Sequence, residues 1–263
     1  MKKNKVRLPV RLISVSALTS VLILLFLWYA AGIARRNPYF TVKEVICNEE
    51  DRNINFTYLT GRNIFSIDLG KESRYIAQLY PAYKRVRLVR LLPNRIFVEF
   101  SRRQPVACLR LHRYFYIDEE MVLFEPGPEG PASGITLITG LEGGLSKANN
   151  GSRCGLKELK AALDIIKESK KDKILSGYPI KMVNLSNPAS VSYFISLPQA
   201  AGQAAVVPSV LEVRIPQDDI GKRISILAGL FAQLKNDLSS IKYIDMRFKE
   251  PAIKFKEEKG EKL

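Results

Sequence analysis

The chain has 263 residues, with 41 Lys and Arg against 26 Asp and Glu, one His and three Cys. That length allows one large domain or two small ones, and the formal charge of +15 invites nucleic acid, yet the basic residues are scattered and densest in an N-terminal tail beside an apolar run, where topology and anionic headgroups account for them. Cys47, Cys108 and Cys154 are too far apart for a C-x-x-C metal or redox motif, and no G-x-x-x-x-G-K-[ST] or G-x-G-x-x-G phosphate loop occurs.

Leu12–Ile33 contains no charged residue. Its 22 residues rise roughly 33 Å as a helix, enough to cross a hydrocarbon core of about 30 Å. Lys2, Lys3, Lys5, Arg7 and Arg11 precede it, and Arg35 and Arg36 follow. This bias predicts a type II single-pass protein with a cytoplasmic tail over 1–11, a transmembrane helix over 12–33 in contact with lipid, and a folded part outside the inner membrane. Trp28 and Tyr29 suit an interfacial aromatic belt. A cleaved signal peptide is the alternative, with small residues at Ala30, Ala31 and Gly32, but the run exceeds an h-region of about 7 to 15 residues.

Asn37-Pro38 frees the chain from the helix. A first strand is predicted over Phe40–Cys47, a loop over Asn48–Asn55, and a short helix over Phe56–Thr60 ended by Gly61. Asp68 caps a helix running to Tyr80, with Ile76 and Leu79 facing inward. Arg85–Leu91 and Arg95–Phe100 read as strands joined by Leu92-Pro93-Asn94. Strand, helix, helix, strand, strand makes a small α+β unit. Arg85, Arg87, Arg90, Arg95, Arg102 and Arg103 would line its solvated face.

No Gly/Ser-rich spacer separates this unit from the next. Cys108–Leu111, Arg113–Asp118, Met121–Phe124 and Ile135–Thr139 read as short strands, with a solvated acidic turn at Asp118-Glu119-Glu120. Pro126–Ser133 is a loop, and Gly140–Gly155 is polar, Gly-rich and expected to be mobile. Leu156, Leu159, Leu163 and Ile166 mark one amphipathic helix. Strands follow at Pro179–Leu185, Val191–Leu197 and Leu211–Ile215. Ile220, Ile224, Leu227, Phe231, Leu234 and Leu238 form one apolar stripe on a second helix, started by Asp218 or Asp219. Ile241–Phe248 and Ala252–Lys256 close the domain, and Glu257–Leu263 is expected to be disordered.

These landmarks together resemble the FtsQ/DivIB cell-division family. Phe40-x-Val-x-x-Val45 looks like the family's first POTRA strand. Gly61-Arg-Asn-Ile-Phe-Ser-Ile-Asp68 resembles its G-x-N-[IL]-[FL]-x-[IVL]-[DN] element. Tyr80-Pro81, Val86 to Arg90 and Leu92-Pro93-Asn94 resemble the stretch that follows, and Arg103-x-Pro105-Val106-Ala107 the junction of the two domains. Tyr116-Ile117-Asp118 and Tyr243-Ile244-Asp245-Met246-Arg247-Phe248 resemble strands of the β-domain. The chain departs at Ser101-Arg102-Arg103, where Glu-Arg is commoner, at Glu119-Glu120-Met121, which replaces a Gly-containing turn, and at Pro216, where Gly often precedes the last long helix.

The resemblance implies an α+β fold with a POTRA domain (β-α-α-β-β) over 38–103 and a mixed β-domain with a curved sheet and two amphipathic helices over 104–256. It implies a divisome scaffold with no enzymatic activity and no cofactor. Its partners would be the single-pass proteins FtsB/DivIC and FtsL and, directly or through them, the septal peptidoglycan synthase. By position the partner site is Tyr243, Arg247 and Phe248 with the edge Lys249, Glu250, Pro251, Ala252, Ile253, Lys254 and Phe255. An uncovered last strand offers backbone groups to an extended segment, the basis of β-augmentation. Arg247 is the candidate for a bidentate pair with a partner carboxylate, and Phe248 and Phe255 are candidate apolar anchors. The structural alternative makes Tyr243 and Phe248 core residues of a terminal hairpin, and Lys254 and Lys256 guards against edge pairing. The functional alternative is a POTRA docking or chaperone protein of envelope assembly or secretion, which would continue into a series of barrel strands. His112, the sole histidine, has no companions for a triad or zinc site. Nucleic acid is not an expected partner.

Overall fold

The computed structural model describes residues 10–48, 54–198, 210–235 and 237–256, with side chains from Ala17 onward. The expected tail over 1–11 falls, up to residue 9, outside the described residues, as do Glu257–Leu263 and most of the Asn48–Asn55 loop.

Helix α1 runs Val10–Arg36, so the helix overruns the apolar segment at both ends until Asn37-Pro38 stops it. Its Ala17–Arg36 part has a mean hydropathy of 2.1, none of it is buried, and it is long and apolar enough to cross a membrane. The chain divides into two compact units, one ending at Arg102 and the other starting at Arg103.

In the first unit Pro38–Phe40 forms a 3-10 turn, and strand β1 spans only Glu44–Cys47. The expected strand from Phe40 is therefore shortened, because Pro38 at the turn's first position and the Asn37 side chain, which accepts from Tyr39 N at 2.9 Å, fold Pro38–Phe40 instead. The helix expected at Phe56–Thr60 is a single 3-10 turn, Thr57–Leu59, followed by Gly61 at φ +83°. Asp68 caps α2 (Leu69–Leu79) by accepting from Gly70 N and Lys71 N, a cap that contributes about 1 kcal/mol. Ile76 is buried as expected, but Leu79 is 53% exposed, since it occupies the last turn. Strands β2 (Tyr83–Leu91) and β3 (Arg95–Arg102) pair antiparallel, and β1 pairs parallel to β3, giving the order β1-β3-β2. Val86, Leu88, Ile96, Val98 and Phe100 point from the sheet into a core closed by Leu59, Ile64, Ile67 and Ile76. Arg90 is not merely one of a solvated row: its guanidinium donates to Ile64 O at 2.8 Å and Ile67 O at 2.7 Å and so pins the Gly61–Asp68 segment.

Among the described residues the second unit carries one nine-stranded mixed sheet. Strands β4 (Ala107–Arg110), β5 (Tyr114–Ile117), β6 (Leu123–Phe124) and β7 (Thr136–Thr139) precede α3 (Lys157–Lys171). Then come β8 (Ile180–Asn184), β9 (Val191–Ser196), β10 (Val210–Ile215), α4 (Ile220–Gln233), β11 (Ile241–Asp245) and β12 (Ala252–Phe255). The spatial order is β12-β11-β10-β9-β8-β7-β4-β5-β6. Pairs β4–β7, β7–β8 and β10–β11 are parallel and the rest antiparallel. The row Leu109, Ile138, Val183, Tyr193, Val213 and Ile244 lines one face of the sheet, and α3 and α4 cover it with Leu159, Ile166, Leu227 and Phe231.

Four expectations change here. Helix α4 stops at Gln233, so Leu238 is buried from a separate 3-10 turn, Leu238–Ser240, rather than from the helical stripe. Asp219 stands at its N-cap at φ +54° and makes no side-chain capping bond. Gly140–Gly155 is not a free loop: Leu141, Ala148 and Cys154 are buried, and backbone bonds at 2.8 Å join Leu123 to Gly151 and Ser152. Asp118 is not solvated. It is buried, its carboxylate accepts from Glu120 N and Val122 N, and Arg103 donates to it. Two residues of separate sequence motifs, the junction arginine and the Tyr-Ile-Asp aspartate, are thus bonded to each other. The three cysteines are free thiols, Cys108 and Cys154 buried and Cys47 partly so.

Candidate functional site

The predicted site lies where the nine-stranded sheet ends. Strand β12 pairs antiparallel with β11, Asp245 opposite Ala252, Ile244 opposite Ile253, Tyr243 opposite Lys254, with a bulge before Ile241 meets Phe255. Among the described residues β12 has a strand neighbour on that side only. Alternation along β12 turns Ile253 onto the core, packed beside Ile244, and leaves Ala252 and Lys254 on the opposite face.

Strand β11 ends at Asp245, three residues earlier than expected, so Arg247 and Phe248 sit in the connection to β12. The physical reason is side-chain competition for the backbone. The Asp245 carboxylate accepts from Arg247 N at 3.1 Å, which turns the chain. The same carboxylate takes the Arg247 guanidinium in a fork, Nε at 2.9 Å and Nη2 at 2.6 Å. Arg247 therefore has a bidentate carboxylate within its own chain. Met246, between them, is fully buried, and its N donates to Arg214 O at 2.7 Å.

Phe248 is no core residue: it is 59% exposed, and Phe255 is 52% exposed. Arg223 of α4, which the sequence reading did not single out, donates to Phe248 O at 2.6 Å and holds the turn to the helix. Tyr243 is half-buried under the Arg214 guanidinium, 4.3 Å from its ring centroid. Arg214 is itself forked to Glu212 at 2.8 and 3.1 Å. Lys256 does not stand free as an edge guard; its Nζ donates to Ser239 O at 2.7 Å. Lys249, Glu250 and Lys254 are exposed and Pro251 is half-buried. The structure thus brings Tyr243 and Arg247–Phe255 into one continuous edge, and adds Glu212, Arg214, Arg223 and Asp245 as the groups that fix it. Glu212-x-Arg214 and Asp245-x-Arg247 share the same i, i+2 spacing and the same forked pairing.

The Arg247 bonds, with Arg214 nearby, hold the Asp245 carboxyl below its ordinary range. A depressed folded-state value stabilises the fold fully above the unfolded value of about 3.9, and the contribution disappears as pH falls through the folded value. Acidification below about pH 4 should therefore lower the urea midpoint of the full chain. Asp245→Asn should be less stable at neutral pH and should lose part of that acid dependence; an unchanged acid limb would contradict the assignment.

Elsewhere, burial pushes the Cys108 thiol up to about 11 and raises Cys47 and Cys154, the opposite of an activated thiolate. His112 is exposed and stacks edge-on against Phe115 at 5.6 Å. Among the described residues no three His, Cys, Asp or Glu side chains group as metal ligands.

No family model matches the chain. Three curated relatives do, each called "Cell division protein FtsQ". The one from Geotalea daltonii is 26% identical over 174 residues, covering 66% of this chain and 58% of its own length. That from Syntrophotalea carbinolica is 25% identical over 185 residues, 70% and 61% respectively, and that from Geobacter sp. (strain M21) is 24% identical over 174, 66% and 58%. The chain thus spans about three fifths of the length of these relatives. These matches, together with the apolar helix near the N-terminus, support the resemblance of the chain to the FtsQ/DivIB family of cell-division proteins.

Proposed function

We propose that this chain is a divisome scaffold that binds FtsB/DivIC-type and FtsL-type single-pass proteins on the outer side of the inner membrane, and thereby helps to position and regulate septal peptidoglycan synthesis. The first unit acts as the POTRA domain and the second as the β-domain. The observation that carries the reading is the one-sided pairing of β12 at the end of a long sheet. An extended partner segment adds to that edge through main-chain hydrogen bonds, with affinity from the ladder and specificity from alternate side chains. Phe248, in the turn before β12, and Phe255, at the end of β12, are both large and exposed and are the apolar anchors. Arg247 acts differently from a direct ligand: locked on Asp245, it holds the β11–β12 turn in the shape that presents Phe248.

The test is a titration of the full chain in lipid nanodiscs with the extracytoplasmic segments of the same organism's FtsB/DivIC and FtsL. Phe248→Ala and Phe255→Ala should each weaken binding about tenfold, the effect of losing about 1.4 kcal/mol at an anchor, with circular dichroism unchanged. Affinity that ignores both changes would move the site off this edge.

A further inference from the structure

We propose that the anchor-side end of the first unit is a second membrane contact, in which Tyr39, Leu91 and Leu92 dip into the interfacial layer of the bilayer that α1 spans. This surface lies in the first unit and does not depend on the partner-binding reading of β12.

Helix α1 closes at Arg36. A helix C-terminus leaves carbonyls without intrahelical donors. Here one of them, Ala34 O, is taken by the Asn63 side-chain amide at 3.0 Å, and Asn37 N continues the helix by donating to Ile33 O at 3.0 Å. Asn63 belongs to the folded unit, where its Oδ1 accepts from Phe65 N and its backbone bridges to Thr41. No flexible tether therefore separates the anchor from the domain. The apolar segment closes at Ile33, so Ala34 and the loop bonded to it stand at headgroup depth when α1 spans a core of about 30 Å.

Strand polarity shows which other residues share that end. β1 starts there, β2 finishes there and β3 starts there, since Glu44 pairs with Arg95 and Leu91 with Arg95. Lys43 N donates to Asn94 O at 2.9 Å, so the Leu92-Pro93-Asn94 turn lies beside the segment that carries Thr41. On this end Tyr39 is 63% exposed, Leu92 61% and Leu91 40%. Three large apolar side chains around the exit of a membrane helix form a surface that water disfavours and an interface accommodates, with Tyr preferring that depth. Charge agrees. Arg35, Arg36 and Lys43 are exposed at the same end, while Glu44 is paired with Arg95 at 2.9 Å, Glu72 with Arg62 at 3.2 Å, and the Asp68 carboxylate caps α2. Positive charge beside exposed apolar groups matches an anionic lipid surface.

The far end provides the control. Leu79 is 53% exposed at the close of α2, next to the start of β2, and the nine residues of β2 separate the two ends by roughly 27 Å. The experiment uses the full chain with Trp28→Phe, reconstituted in phosphatidylcholine vesicles containing a minority of phosphatidylglycerol and lipids brominated near the carbonyl end of their acyl chains. Tryptophan is introduced singly as Leu92→Trp, Tyr39→Trp or Leu79→Trp, with circular dichroism checked for each. The expected result is loss of roughly half or more of the emission, with a blue shift, for Leu92→Trp and Tyr39→Trp, and solvent-like emission for Leu79→Trp. Solvent-like emission from both rim positions overturns the proposal and leaves the rim to a protein partner. Equal quenching at Leu79→Trp also overturns it, because the contact would not belong to this end.

Discussion

Proline placed in turn at Ala252, Ile253, Lys254 and Phe255 should divide β12 into two classes of position. In a strand, N–H groups alternate between the two sides, so one set bonds β11 and the other points away from the sheet. Proline removes the N–H and brings a ring into the space where the neighbouring strand would lie. At positions whose N–H points away, the fold keeps its ladder with β11, and only an added strand is blocked. There partner binding should fall at least about 100-fold, equivalent to roughly 2.7 kcal/mol, while the urea midpoint stays near that of the parent. At positions bonded to β11, stability should fall by about 3 kcal/mol and binding only with it. The alternation is the informative part, since an interaction made by side chains alone has no reason to follow backbone direction. Binding that survives proline at all four positions would rule out strand addition at β12.

Phe231→Ala should be among the most damaging changes in the second unit, lowering its stability by about 3–5 kcal/mol in urea or thermal unfolding. Phe231 is 1% exposed on α4 and meets Tyr178 edge-to-face at 5.0 Å. It packs into the same core as Val213 and Ile244, the residues that hold β10 and β11 in register beneath it. Truncation removes the aromatic burial, the ring pair and the filling of a space that the sheet cannot close over. Because α4 also carries Arg223, which bonds Phe248 O, binding at the edge should weaken in parallel. A loss below about 1 kcal/mol would mean that α4 contributes little to this core.

The sequence carried what periodicity and cap chemistry can carry. Asp68 before α2, the alternation of Val191, Tyr193 and Ile195, and the helical spacing of Leu159, Leu163 and Ile166 each rest on local geometry, and each stands in the structure. Long-range bonds were less legible. Arg90 looked like one arginine in a solvated row, yet its partners are carbonyls 23 and 26 residues away. Asp118 looked like an exposed turn residue because its partner, Arg103, lies 15 residues earlier. The stripe on α4 ran on to Leu238 because a following 3-10 turn buries a leucine in phase with the helix. At the edge, the residue set could be named but not its internal chemistry. Nothing in Tyr-Ile-Asp-Met-Arg-Phe says that Arg247 turns back to Asp245 rather than outward, because that depends on β11 ending where Asp245 captures the backbone.

Strand order along the chain has a consequence for timing. β11 is laid against β10 by way of α4, and β12 comes last in chain order among the described strands of the sheet. During synthesis and export, every other strand of the sheet has emerged before the edge strand exists. Until then β11 is the outermost strand, and a partner arriving early meets the wrong edge. A ribosome stalled ahead of Ala252 would leave a chain with the other described strands but without the edge formed by β12. Under the proposed function, a chain gains the edge that recruits only once β12 has been made and paired with β11.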